Sequence, residues 1–510
     1  MPWTWRRTGA AGRAAVIGSA LALALAAAAA SCATAARHHG LAAVVMTEVT
    51  RPPATTTTVL AGPPAVVAAR AASRLFASAS VVVVANAADK AGLAVAAARA
   101  RRAHAPLLLA SAAKSAAVLL RPEIHALAAR EVLDIGLAAG RLAVELPGVK
   151  VVTNPARLPV TRAPRPLRQV VVLVRRRDQS AGTVAATATA LAAGAQVITV
   201  KTNDPRTDPA AISALSDARP QQVLAVGAGF GPARLLASRV AVVATGVQLP
   251  GGGQVLFPMH RLLALYGYPG TPALGALGQQ GLTDAIARIR RIAAAYQPLS
   301  RVPVVPAFEI LATVAQASPG PRGIYSYESA VGSLRPWVRR ATANGMYVVL
   351  DLQPGRASLL AQARRYQQLL RLPDVGLALD AEWKLQPRQL PLRQIGHVHI
   401  GEVNRVIGWL ARLTARYHLP QKLLVLHQFR LSMITGEQRL DTGHDDLAIV
   451  IHMDGQGTPA EKLQTWNAVV RSAPTGVFFG WKNFYRKDHP TLSPRKTMAN
   501  TPEPVMISYQ

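Results

Sequence analysis

Val375-Gly-Leu-Ala-Leu-Asp380-Ala-Glu382 is apolar for five residues and then turns acidic. Side chains alternate across a strand, so such a run buries both of its faces and carries charge only at its C-terminal end. The pattern recurs through the second half of the chain. Strand-like runs are read at Leu262–Tyr268, Val302–Glu309, Tyr347–Gln353, Val375–Glu382, Lys422–Gln428, Leu447–Asp454, Gly476–Asn483 and Val505–Gln510. Helical stretches are expected at Asp284–Tyr296, Ser333–Asn344, Ser358–Leu372, Glu402–His418 and Pro459–Ser472. Apolar strands that alternate with helices need a parallel sheet covered on both sides. Eight of them in about 250 residues match the size of a (β/α)8 barrel. Residues 251–510 are therefore predicted to be a TIM-like barrel, with no clear helix in the last connection, Arg486–Pro504.

The ends of these runs carry the candidate chemistry. Six finish in Tyr266/Tyr268, Glu309, Asp351/Gln353, Asp380/Glu382, His427/Gln428 and His452/Asp454, and Trp481-Lys482-Asn483 ends a seventh. In such barrels the C-terminal strand ends form the active site. Asp380 and Glu382, two apart on one expected strand, point to the same face. Paired carboxylates suit glycoside hydrolysis, in which one acid stays protonated for the leaving oxygen and another charge steadies the oxocarbenium-like state. Glu382, Asp380, Asp351 and Glu309 are the catalytic candidates. Tyr266, Tyr268, Trp383, His427, Gln428, Asp454 and Trp481 are the substrate-binding candidates, with Phe308 a further ring for stacking.

The stretch Gly376-Leu-Ala-Leu-Asp-Ala-Glu382 resembles the fourth-strand G-x-D-x-D-x-E motif of family 18 glycoside hydrolases, with Ala378 in place of its first aspartate. The resemblance implies that Glu382 is the acid and Asp380 its electrostatic partner. A second chemistry uses histidines: His397-x-His399, His427, His452 and Asp454 would make a metal-dependent barrel hydrolase. The principal reading calls for no metal and no cofactor.

The first half is built differently. Of 8 Phe, 7 Trp and 10 Tyr, only Trp3, Trp5, Phe76 and Phe230 precede residue 251. Val81-Val-Val-Val84, an Ala-rich helical stretch, Ala105-Pro-Leu-Leu-Leu109 and Glu131-Val-Leu-Asp-Ile-Gly136 follow one another. The same order returns at Gln169-Val-Val-Val-Leu-Val174, Thr183–Ala193, Ala195-Gln-Val-Ile-Thr-Val200 and Gln222-Val-Leu-Ala-Val-Gly227, about 89 to 91 residues later. The offset predicts a duplicated parallel α/β region over residues 59–248. Its pattern, with "APLLLAS" and "VLDIG" or "VLAVGAG", resembles the bacterial cell wall-binding repeat 2 family, whose members are exported and attach to anionic wall polymers. Gly227-Ala-Gly-Phe-Gly231 lacks the G-x-G-x-x-G spacing of a dinucleotide loop and reads as a tight strand-to-helix turn.

Composition bounds the rest. The 510 residues carry 57 Lys+Arg against 26 Asp+Glu, a formal net charge of +31. Half the residues are hydrophobic and 16% are charged, which excludes a largely disordered chain. One cysteine excludes a disulfide scaffold and a thiolate zinc cluster. The positive charge first suggests nucleic acid. However, Arg6, Arg7 and Arg13 precede an uncharged run from Ala14 to Ala30 and a small-residue exit, the parts of an export signal over residues 1–35. Two readings stay open there. Cys32 fits a lipoprotein box and would carry lipid, whereas Ala33-Thr34-Ala35 fits release. Export moves the expected partner from nucleic acid to anionic cell-wall polymer or polysaccharide, with a membrane contact expected through a lipid anchor or the signal segment. Residues 36–58, with Arg51-Pro-Pro-Ala-Thr-Thr-Thr-Thr58, read as a Pro/Thr linker. The chain is thus expected to be an exported envelope protein that binds wall polymer through its N-terminal repeats and acts on or holds a polysaccharide in its barrel. A noncatalytic, carbohydrate-binding surface lipoprotein is the alternative.

Overall fold

The computed structural model describes residues 45–510 apart from 111–115, 138–141 and 145. The export signal and Cys32 lie outside the described residues. No helix among those described is long and apolar enough to cross a membrane.

Residues 57–243 form two four-stranded parallel sheets. One has the order Leu107–Ala110, Val81–Asn86, Glu131–Ile135, Lys150–Val152, and the other Gln196–Val200, Val170–Arg175, Gln222–Val226, Thr57–Leu60. Helices Pro64–Leu75 and Ala181–Ala192 share a buried core with strands of both sheets. Alanine dominates this region because the helices cross closely. A Cβ on Gly182 would stand 3.1 Å from the Pro64 Cα and 3.2 Å from the Val67 Cβ. The glycine-rich segment after Val226 is a short turn, Ala228–Phe230, with the Phe230 ring buried.

The Pro/Thr segment is not a spacer over its described part. Thr57–Leu60 is the outer strand beside Gln222–Val226, because β-branched threonines suit a half-buried strand once a partner edge is available. Val49–Thr50 pairs with Phe76–Ser78 and Met46–Thr47 with Thr161–Arg162. Glu48 is buried between them and accepts the backbone N–H groups of Ser80 at 2.6 Å and Val81 at 3.1 Å. Burial pushes its pKa up to about 7, against the pull of those two donors. Glu48→Ala would strand both donors in the core. The expected loss is about 1–3 kcal/mol of unfolding free energy, read as a lower urea midpoint; an unchanged midpoint would contradict this role for the carboxylate.

The aromatic-rich half is a closed barrel of eight parallel strands: β1 Arg261–Gly267, β2 Val304–Ala315, β3 Tyr347–Leu352, β4 Val375–Asp380, β5 Lys422–Gln428, β6 Leu447–Met453, β7 Phe478–Asn483 and β8 Met506–Tyr509. β1 pairs with both β2 and β8, which closes the ring. Each strand overlaps the apolar run that predicts it, although β2 runs past its expected end at Glu309 to Ala315, which leaves Glu309 in mid-strand. The helices differ in detail. The one expected over Ser358–Leu372 breaks at Tyr366 into Leu359–Arg365 and Gln367–Leu370, and the Tyr366 hydroxyl donates to the Ala312 and Ser329 carbonyls. The last connection holds only Pro494–Met498.

Period-two alternation sorts each strand. Leu263, Leu265, Phe308, Ile310, Leu377 and Leu379 face the helices, whereas Leu262, Ala264, Val305, Ala307, Tyr347, Val349, Ala378, Val425 and Val450 fill the barrel interior. The N-terminal sheets meet the barrel through Asp445, which accepts from Arg206 and Arg239 at 2.7 Å each. Burial alone would raise the Asp445 pKa, but these two guanidinium groups hold it below the usual carboxylate range.

Candidate active site

The interior parity that runs through Ala264, Ala307, Val349, Ala378, Val425 and Val450 continues one step further to Tyr266, Glu309, Asp351, Asp380, His427 and His452, and on β7 and β8 it reaches Lys482 and Ser508. An apolar barrel floor therefore carries a polar top layer. Glu309, Asp351, His427 and His452 are wholly buried and Asp380 and Lys482 nearly so.

His427 is the hub of this layer. Its Nε2 lies 2.8 Å from Glu309 Oε1 and 3.8 Å from Asp351 Oδ2, and its Nδ1 lies 3.2 Å from Asp454 Oδ2. The Nδ1 contact has ion-pair distance without hydrogen-bond alignment. Burial alone would strip the ring of its proton, but Glu309, Asp454 and Asp351 outweigh it and raise the pKa well above the usual histidine value. His452, 5.3 Å away ring to ring, is the opposite case. Burial first, then the charges of His427, Lys482 and Lys462, keep it neutral, and its Nε2 meets Ser508 Oγ at 2.8 Å. Gly480 opposes it in register, and a Cβ there would stand 2.0 Å from His452 Nδ1. Only glycine leaves that ring its place.

The carboxyls behave as a group. Burial raises Asp351 to about 6 and Glu309 adds to the shift, while His427 opposes it. Burial, then Glu382 and Asp351, drive the Asp380 pKa well above the ordinary carboxylate value and favour its neutral form. Burial and Asp454 push Glu382 up to about 7 against Lys482 and His427. Ligand atoms of Asp380, Glu382 and Asp454 all lie within 4.8 Å of one another, as do those of Glu309, Asp351 and His427. Either trio has the donors for a cation, although both nitrogens of His427 already face carboxylates. Gln353 ties the layer together: its Nε2 donates to the Tyr266 hydroxyl at 3.2 Å and to Asp380 Oδ2 at 3.4 Å.

Above this layer opens a cavity of about 230 Å³, walled by Tyr266, Gln353, Glu382, Trp383, Asp454, Lys482, Phe429 and Phe484 among others. Several expectations need correction. The fourth strand stops at Asp380, and Glu382 stands on the short turn Ala381–Trp383 that follows it, so convergence and not a shared strand face brings the two carboxyls together. Trp481 is buried on the outer side of the barrel against Trp466, and its Nε1 donates to Asn483. Gln428 also points outward and donates to Glu437, and Phe308 packs on Trp337. Each is one residue out of step with the interior parity. Tyr268 lies past the end of β1, where it accepts from Ser329, and does not line the cavity. His399 caps the helix Ile400–Arg416 by accepting from the Gly401 N–H, and neither His397 nor His399 reaches the cavity. The His-x-His metal set is therefore not assembled.

Lys482 and Ser508 were legible as positions on the last two strands but not as members of the site; continuing the parity count to β7 and β8 finds them, and Gln353 follows Asp351 in the same phase. Phe429, Phe484 and Lys487 come from loops, and no pattern in the sequence marks them.

No family model matches the chain, and no curated protein matches it. Among solved structures, Cwp6 from Clostridium difficile aligns with a TM-score of 0.30 and 11% identity over 60% of this chain and 66% of that one. The match thus spans a little under two thirds of the length of that protein.

Proposed function

We propose that the barrel is a glycoside hydrolase-type module of an exported cell-envelope protein, acting on a polysaccharide. One observation carries the reading: the carboxyls of Glu382 and Asp454 line an open cavity on the C-terminal face of the barrel, Asp380 converges on them from beneath, and burial and Asp454 raise the Glu382 pKa to about 7. Glu382 is the acid that protonates the leaving oxygen. Asp454, held by His427, supplies the negative charge that favours an oxocarbenium-like state. Asp380, pushed toward its neutral form by burial and by Glu382, accepts a hydrogen bond from Gln353 Nε2 beneath them. Trp383 and Tyr266 give the sugar an aromatic wall.

The N-terminal sheets are read as the wall-attachment part. The resemblance of residues 59–248 to wall-binding repeats and the leader over residues 1–35 support this, as does the excess of Lys and Arg. Lipidation of Cys32 belongs to the same reading.

Reducing-end release from purified wall glycans and reference polysaccharides tests the barrel. Cleavage is expected with a rate that falls as pH rises through about 7, because the acid loses its proton there. No release from any glycan, or a rate that climbs through that range, would overturn the acid assignment. In the first of these cases a carbohydrate-holding module without catalysis is the reading that stands.

A further inference from the structure

Basic residues gather at one corner of the barrel mouth. Lys482, at the C-terminal end of β7, is 2% exposed, and its ammonium sits in the cavity wall 3.4 Å from the centre of the Tyr266 ring and 5.4 Å from that of Phe484, in electrostatic reach of Asp351 and Glu382. Among the described residues, Lys482, Arg486 and Lys487 form no ion pair within 4.0 Å. A second cavity of about 170 Å³ adjoins the first. The two share Ala273, Phe484, Lys487 and Gln510 in their walls. The second also takes in Arg486, and no Asp or Glu side chain lines it. The first cavity thus combines Glu382 and Asp454 with Lys482 and Lys487, whereas Arg486 and Lys487 are the charged side chains of the second.

A buried ammonium costs free energy unless something compensates it, and a ring face compensates only part. Two exposed cations on the following loop, Arg486 and Lys487, make the adjoining cavity positive, since no carboxylate lines it. In barrels of this architecture the loops after the seventh and eighth strands are a frequent phosphate site. Arg offers a planar fork to a phosphate or carboxylate, and Lys a compact charge.

We propose that Lys482, Arg486 and Lys487 form a subsite for an anionic substituent, phosphate or carboxylate, of the glycan held in the first cavity. The inference rests on the glycan reading of that cavity and names its substrate class: a charged polysaccharide whose acidic group lies next to the sugar at Glu382. Lys487 also draws down the Glu382 pKa, so filling the subsite with an anion would help Glu382 keep its proton.

Calorimetric titration of the full chain with N-acetylglucosamine 6-phosphate, glucuronic acid and N-acetylglucosamine tests it. At low salt at least one charged sugar is expected to bind about tenfold or more tighter than the neutral one, the size of one charge-assisted hydrogen bond. Which arm shows the preference identifies phosphate or carboxylate as the group bound. In the double variant Arg486→Gln, Lys487→Gln, both sites being exposed, the preference should shrink to about twofold or less. Equal binding of all three sugars, no binding of any, or a preference that survives the double variant would each overturn the subsite. Cleavage of glycans without a charge preference overturns this inference and spares the hydrolase reading. A charge preference in a chain that cleaves nothing overturns the hydrolase reading and spares the subsite.

Discussion

Glu382→Gln is expected to lower glycan cleavage by about 10²–10⁴-fold, the usual worth of a positioned proton donor, while the glycan still binds. The substitution keeps the shape of the side chain and its place on the turn Ala381–Trp383, and removes only the proton that can be given to the leaving oxygen. The geometry predicts more than a loss. Glu382 owes its raised pKa to burial and to Asp454, with Lys482 and His427 opposing. Asp454→Asn should therefore lower the Glu382 pKa, and the alkaline limb of any residual pH–rate profile should move to lower pH. A purely structural role for Glu382 would leave that limb where it is and reduce binding together with rate. If Glu382→Gln cleaves at the wild-type rate, the acid is elsewhere and the carboxyl trio serves another purpose.

Most of the barrel was legible because its physics is local. Val348, Val425 and Ile451 are apolar whichever face of the strand they occupy, since a parallel barrel strand is buried on both sides. An uninterrupted apolar run is then signal enough. The site needed one more step, the parity that separates Asp380, His427 and His452 from Gln428 and Trp481. Strand register supplies that parity, and one slip reverses it. Trp481 shows the cost: a large ring at a strand end reads as a sugar platform, yet one residue of phase turns it onto Trp466. The strand Thr57–Leu60 was hidden for another reason. Its partner, Gln222–Val226, lies more than 160 residues away in the chain, so no local pattern tells a Pro/Thr spacer from an edge strand. Loop residues such as Phe484 and Lys487 carry no period at all.

His427→Ala is expected to destabilise the protein by about 3–5 kcal/mol, the range for removing one partner of a buried ion pair. The imidazolium is the counter-charge that lets Glu309, Asp351 and Asp454 share a dry barrel mouth, and Asp351 already has both oxygens without a hydrogen bond. The pH dependence gives the argument a sign. The folded pKa of His427 lies well above its ordinary value of 6.5, so its contribution is complete below about 6.5 and fades as pH climbs through the folded value. Asp351 has the same form. Its folded pKa of about 6 exceeds 3.8, so the proton it keeps favours the fold fully below about 3.8, and that advantage is lost as pH rises through about 6. Both groups thus make the wild type less stable toward alkaline pH. His452 and Lys422, whose folded pKa values burial lowers, contribute with the opposite sign, so denaturant midpoints from pH 5 to 9 are compared between the wild type and His427→Ala. In His427→Ala the histidine part of the pH dependence disappears, and the gap between the two proteins narrows at the alkaline end. Adding Glu309→Gln to His427→Ala should recover part of the loss, because it removes one of the charges left unpaired. A double variant as unstable as the sum of the single ones would mean that the pair is not coupled and that His427 acts by packing alone.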